Sequence, residues 1–548
     1  MSLPPLPPAD AAWVARTRDG LSTDAKIAQL FNFAVRDSEP AEVDALIALG
    51  AGAYHRFPES DLATARDVTR RLLDHSVVPP LVSGDIEGGG ISFGFATAFP
   101  NQLGIAACDD LALTAEIARM VARESLAMGF NWSFAPVVDV NAAFRSTIVG
   151  TRSYGSDPAR VLAQARSYVR ALQAEGVAAT AKHWPGEGYD DRDQHLLTTV
   201  NPLPMERWRA VFGTIYGTLI DDGLLSIMAG HIALPAWDVA IGRDAFVPAS
   251  LSRALNVDLL RGELGFDGLL VSDATVMAGM TTWMDRGHAV PTVIENGCDM
   301  FLFSRAPAAD IAHMKAGLRA GLLSEARLEE AVTRILTLKA RLGLHRTIAA
   351  ERLPDNSPAL RAPEHVALAA RTSARSLTLV KDVAGLLPLD PAAFRRVVLL
   401  DEGEEPTFID GAPKRSFAPL IAGLEAAGFV VRRYDPAHPP TREDTDLLLY
   451  FVGHESTPVV ASNRIDWVAL HGGAKKAMTR FWPAIPTVMV SFGYPYLLYE
   501  APDVPTYVNA YSAIPAVQAA LVAALTGEAA FPGVSPVDPF CGQAAARF

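Results

Sequence analysis

Between positions 181 and 195 the chain reads AKHWPGEGYDDRDQH, directly after the apolar run GVAAT. One loop therefore carries Lys182, His183, Asp193 and His195. An aspartate two residues before a histidine can orient the imidazole and stabilise its charged form. An imidazole titrates near neutrality, so it can donate and accept a proton without a large pKa shift. Asp273, in GFDGLLVSDATVM, supplies a separate carboxylate. Taken alone, DRDQH also reads as a solvated acidic turn, and a single aspartate after a strand as a helix N-cap. The choice depends on which elements hold these residues.

Short apolar runs recur through the first 305 residues, separated by segments of helical period. Strands are expected at 29–35, 51–57, 79–85, 131–140, 177–183, 225–231, 269–274 and 299–304. Helices are expected between them, as in DLALTAEIARMVARESLAMG and PARVLAQARSYVRALQAEG, whose terminal glycines suit left-handed C-caps. Strands alternating with helices require parallel neighbours, and eight units imply a (β/α)8 barrel. Asp85, Lys182, His183, His231 and Asp273 then fall at the C-terminal ends of strands, on the face where barrel active sites lie. After a polar, proline-containing connector the pattern restarts with RRVVLLDE, FVVRRYD, DLLLYFVG, TVMVSFG and PTYVNAYS. The expected architecture is a barrel over 1–345, a linker over 346–362 and a smaller open α/β sandwich over 363–548.

Composition narrows the classes. The formal charge of -13, with no Lys/Arg-rich block, argues against a nucleic-acid partner. Three widely spaced cysteines make no disulfide framework or metal knuckle and favour a reducing compartment. The N-terminus MSLPPLPPADAAW has no charged-then-apolar leader pattern, and no apolar run approaches about 18 residues. The expectation is a cytoplasmic protein without a membrane partner. Its oligomeric state is not legible. GGAKK lacks the second glycine of a phosphate loop, and no GxGxxG occurs, so no cofactor is expected.

KHWPGEGYDDRDQH has the spacing of KH(F/W)PGHGxxxxD(S/T)H, the loop of the β-N-acetylglucosaminidase branch of glycoside hydrolase family 3, which the chain resembles. STDAKIAQLF, GDIEGGG, NWSFAPVVDVN with GTRSYGSDP, SIMAGHIALPA, ELGFDGLLVSDATVM and RTSARSLTLVKDVAGLLPL extend the resemblance over nearly the whole chain. It implies a retaining glycosidase in which Asp273 is the nucleophile and Asp193 with His195 the acid/base pair. It further implies that Lys182, His183, Asp85 and Arg152 bind sugar hydroxyls, carboxylates accepting and the guanidinium donating. An ion pair at the rim is the competing role for Lys182 and Arg152. His231 belongs with the substrate-facing rim residues, although a packed, hydrogen-bonded histidine is the plainer reading. Trp184 reads as a wall of the site or, more simply, as core.

Three departures stand out. Glu187 replaces a histidine, Gly90 and Phe93 replace arginines of the strand-3 motif, and SDATVM replaces SDDLxM. The alternatives to N-acetylglucosaminidase action are β-glucosidase or dual specificity, and phosphorolysis, since an imidazole lacks the fixed negative charge that would repel phosphate. A metal hydrolase is disfavoured, because FNFAV offers no H-x-H at the first strand. A catalytically dead sugar-binding protein is disfavoured by the joint presence of Asp273, Asp193 and His195.

Overall fold

The computed structural model describes residues 3–548 except 37, 58–60, 90–92, 243–245, 354–357, 404–414 and 461. The Gly90 departure and part of the expected linker lie outside the described residues.

All eight expected strands of the first half form. They are β1 (Phe31–Val35), β2 (Ala53–Arg56), β3 (Leu81–Gly84), β4 (Trp132–Ser133), β5 (Ala178–Trp184), β7 (Ser226–Ala229), β9 (Leu269–Ser272) and β10 (Phe301–Leu302). They lie in the order β10-β1-β2-β3-β4-β5-β7-β9. Every neighbouring pair is parallel, and a parallel bridge from Val271 to Met300 links β9 back toward β10. Nearly every residue of these strands is buried, which suits short apolar runs covered on both faces. The helices Leu111–Ala127 and Pro158–Ala174 bury one stripe each against the sheet. Gly129 and Gly176 end them at φ +82° and +92°, the left-handed conformation expected of their sequence positions.

Two expectations need adjusting. The run 131–140 gives only two residues of strand, because Pro136 interrupts it and has no N–H to give the ladder. The segment still tracks β5, through Val138 N–H to the Lys182 carbonyl (2.7 Å) and Val140 N–H to that of Glu187 (3.2 Å). Two short strands not expected, β6 (Thr199–Val200) and β8 (Ile232–Ala233), pair in parallel above the rim.

The second sheet comprises β11 (Thr378–Asp382), β12 (Arg396–Asp401), β13 (Val430–Arg433), β14 (Leu447–Val452), β15 (Thr487–Ser491) and β16 (Thr506–Asn509). Its order is β11-β16-β15-β14-β12-β13. Only the β11 edge is antiparallel. One of its two apolar cores includes Leu103 and Ala107, from a barrel helix, beside Tyr494, Tyr496 and Tyr511. The two halves thus share buried apolar surface. No described helix is long and apolar enough to cross a membrane.

Candidate active site

Parallel strands deliver their last residues to one rim, and the expected polar residues are there. Asp273 follows β9 directly, and its backbone N–H donates to the Ala229 carbonyl at the end of β7 (2.8 Å). The carboxylate is buried and accepts the Ala274 N–H (2.7 Å). His183 Nε2 stands 4.0 Å from its other oxygen. Burial alone would raise the Asp273 pKa; the nearby charges of His183, His231 and His195 and the Ala274 N–H outweigh it and hold the carboxyl below its ordinary range. A buried carboxylate kept ionised is the state a nucleophile needs.

The loop after β5 brings the second group. His195 Nδ1 lies 2.7 Å from Asp193 Oδ1, which also accepts the His195 N–H (2.9 Å). Asp193 is buried, while the His195 ring keeps about a fifth of its surface exposed. The other Asp193 oxygen accepts the backbone N–H of Val459 (2.8 Å), which belongs to the loop after β14 in the second half of the chain. Burial opposes ionisation of Asp193, and these bonds together with the charge of His195 overcome it, so its pKa is lowered. An aspartate on Nδ1 fixes the orientation of the ring.

On the opposite side of the rim a chain of alternating charge forms. Lys182 Nζ sits 2.6 Å from both Asp85 Oδ1 and Glu87 Oε1, and Arg152 grips Glu87 with two bonds (2.8 and 2.9 Å). Lys182 and Glu87 are buried, and Asp85 remains about one-third exposed. Of the two roles read for Arg152 and Lys182, the ion pair is therefore formed, and the Asp85 carboxylate is the face presented to the cleft. Glu87 opposes its own burial through Arg152 and Lys182, which hold it far below the ordinary carboxylate range. His55, from β2, adds Nε2 at 3.5 Å from Asp85 and packs on Phe134 and Phe303. Burial pushes its pKa down to about 4, so it is neutral near pH 7.

His183 donates from Nδ1 to Asp139 Oδ2 (2.7 Å). Asp139 Oδ1 also accepts the backbone N–H groups of His183 (3.1 Å) and Glu187 (2.8 Å). Asp139, His183 and Glu187 offer atoms within 4.8 Å of one another. Hydrogen bonds within the protein account for that cluster: Glu187 accepts from Gln194 Nε2 (3.1 Å) and Thr199 Oγ1 (3.2 Å). His231 takes the plainer of its two readings. Its Nε2 lies 3.0 Å from the Ala274 carbonyl and its Nδ1 2.8 Å from Ser250 Oγ, so both ring nitrogens serve the protein. Trp184 is likewise core, stacked edge-on against Trp208 and Tyr216. Phe93, at one departure, is buried against Phe130.

Sequence reasoning passed over Glu87, Asp139, His55, Gln194 and Val459. GDIEGGG carried a signal for Glu87, two residues after Asp85 and so on the same side of an extended chain. Val459 carried none, because its contribution is a backbone N–H from a distant loop.

Known proteins resemble this chain along its length. The glycosyl hydrolase family 3 N-terminal domain matches residues 22–338. The chain is 39% identical to a beta-N-acetylglucosaminidase/beta-glucosidase of Cellulomonas fimi, over 97% of this chain and 96% of that one. The beta-glucoside phosphorylase BglX superposes with a TM-score of 0.91 at 33% identity, covering 98% of each chain. A glycoside hydrolase family 3 beta-N-acetylglucosaminidase from Paenibacillus sp. str. FPU-7 gives a TM-score of 0.81 at 26% identity, covering 95% of this chain and 99% of that one. The chain belongs to glycosyl hydrolase family 3, and the protein is a glycoside hydrolase.

Proposed function

We propose that the protein is a retaining, exo-acting β-N-acetylglucosaminidase that removes terminal β-linked N-acetylglucosamine. The observation that carries this reading is the pairing, on one rim, of a buried ionised Asp273 with a separate Asp193–His195 proton-transfer pair. In the first step an Asp273 oxygen attacks the anomeric carbon while His195 gives its proton to the departing glycosidic oxygen. In the second step His195 takes a proton from water, which attacks the same carbon and releases Asp273. Two inversions give net retention. Asp85, Lys182 and Arg152 bind the sugar hydroxyls as one network, with Asp85 as the accepting face. His183, aligned by Asp139, presents Nε2 to the sugar beside Asp273.

A second reading shares the first step and replaces water by phosphate, which attacks the same carbon, frees the Asp273 carboxylate and leaves as a sugar 1-phosphate of retained configuration. Two features favour it. Deprotonated His195 is neutral where a carboxylate base would be negative, so it repels an incoming anion less. Burial, reinforced by Asp139, Asp193 and Asp273, pushes Glu187 well above the ordinary carboxylate range, which disfavours a further negative charge there. The solved phosphorylase that resembles this chain is consistent with that chemistry. The Cellulomonas fimi relative is also a beta-glucosidase, which keeps glucose as a second glycon.

Product analysis on chitobiose and cellobiose, with and without inorganic phosphate, tests these readings. Free N-acetylglucosamine of retained configuration from chitobiose, at a rate indifferent to phosphate, supports the hydrolase. Accumulation of sugar 1-phosphate with a phosphate-dependent rate replaces it with the phosphorylase. Turnover of cellobiose but not chitobiose overturns the glycon assignment.

A further inference from the structure

Gln194 stands between the two members of the proton-transfer pair, yet its surroundings differ from theirs. It is fully buried, whereas His195 beside it reaches the surface. A buried carboxamide must find partners at both ends. Its Oε1 accepts the His231 backbone N–H (2.7 Å), and its Nε2 donates to Glu187 Oε2 (3.1 Å). The other Glu187 oxygen accepts the Thr199 hydroxyl (3.2 Å), and the Thr199 N–H donates to the His231 carbonyl (3.2 Å). Glu187, Gln194, His231 and Thr199 therefore close a ring of hydrogen bonds at the base of the loop.

The other side of the loop is equally confined. The His195 carbonyl accepts the Ala278 N–H (3.0 Å). A Cβ at Gly279 would come within 2.5 Å of the Gln194 carbonyl oxygen, so the backbone here lies as close as a glycine permits. The loop is thus pinned on both sides, and its hydrogen-bonded ring encloses the Glu187 that replaces the resembling motif's histidine.

We propose that Gln194 is a positioning residue for the acid/base arm. Its carboxamide, clamped between the His231 N–H and the Glu187 carboxyl, sets how far His195 reaches toward the leaving-group oxygen. Glu187 acts in this only as the hydrogen-bond partner of Gln194 and Thr199. Its high pKa is compatible with that part, because a neutral acid or an amide can fill it. This rests on His195 being the acid/base, the reading given above.

Leaving groups separate positioning from general damage. A dinitrophenyl glycoside needs no proton to depart, whereas the alcohol leaving group of chitobiose does. General acid catalysis is worth ~10²- to 10⁴-fold. Replacement of Gln194 by methionine, which keeps length but not hydrogen bonding, is expected to lower kcat/KM on chitobiose by ~10²-fold and on dinitrophenyl N-acetylglucosaminide by no more than a few-fold. Glu187→Ala should share this pattern, Glu187→Gln should recover most of the loss, and Gln194→Met combined with Glu187→Ala should cost little beyond either alone. His195→Ala, assayed alongside, is the reference. If His195→Ala shows the leaving-group pattern and Gln194→Met loses both substrates equally or neither, the positioning role is wrong. If His195→Ala lacks the pattern, the acid/base reading is wrong and the positioning role falls with it.

Discussion

Burial has opposite outcomes for two carboxyls of this site. Asp273 and Glu187 are both desolvated, which alone would raise both pKa values. Asp273 faces His183, His231 and His195 and is held below the ordinary carboxylate range; Glu187, with Asp139, Asp193 and Asp273 adding to the effect of burial, is pushed well above it. The second case has a stability consequence with a definite sign. An unfolded glutamate titrates at about 4.3, and Glu187 in the folded state titrates well above its ordinary value. Between those two values the folded chain holds more protons than the unfolded one. The Glu187 contribution is therefore present in full below about pH 4 and is lost as pH rises toward the folded-state pKa. A glutamine at 187 has no such loss, so the melting temperature of Glu187→Gln should gain on that of the parent as pH rises above about 4. Thermal melts of both proteins across that range measure it, and parallel curves would refute it. At this scale the sequence was legible where residue type and spacing coincide: Asp193 with His195, Lys182 with His183. Glu87 and Asp139 were not, because their meaning lies in cations and imidazoles brought close only by the fold.

Elements explain why the loop after β14 matters. Val459 sits at φ +67°, a region unfavourable to a β-branched side chain, and its side chain is largely exposed. Such a conformation costs of order 1–3 kcal/mol and persists where surrounding structure imposes it. Here the imposed result is an N–H aimed at Asp193. Glycine adopts this φ freely but costs about 1 kcal/mol through the unfolded chain. Val459→Gly should therefore raise stability modestly, by ~1 kcal/mol, read as a higher denaturant midpoint at unchanged slope. A lower midpoint would show that the valine side chain contributes more than its exposure suggests. The barrel strands were legible because runs buried on both faces leave a continuous apolar record. The split after β4 was less so, since Pro136 removes a donor without altering the apolar character around it. The edge strand β11 was hidden within RTSARSLTLVKDVAGLLPL, a segment that entered only through the resemblance and not as a strand.

Across the whole molecule the seam between the halves is both apolar and hydrogen-bonded. Thr151 N–H donates to Ser456 Oγ (2.9 Å) and Ser456 N–H to Thr151 Oγ1 (2.8 Å). Asn101 bonds Glu455 (2.9 Å), and Leu103 and Ala107 enter the second half's core. Domains joined by small polar interfaces melt separately; one sharing core residues should not. Calorimetry is expected to give a single transition whose calorimetric and van't Hoff enthalpies agree, and two resolved peaks would contradict it. Alternating strands and helices, interrupted by a polar connector, made the two-part plan legible, but nothing local marked where the halves touch. The Asp193 carboxylate is where that contact reaches the candidate site, since it takes two donors from its own loop, both from His195, and one from the far half. Anyone recombining this chain with a relative inherits a rule from that carboxylate: the exchangeable part is not the C-terminal half alone, but that half together with the loop that ends in His195. A chimera that crosses over between them keeps two sound scaffolds but parts the Asp193 carboxylate from the Val459 N–H that it is matched to.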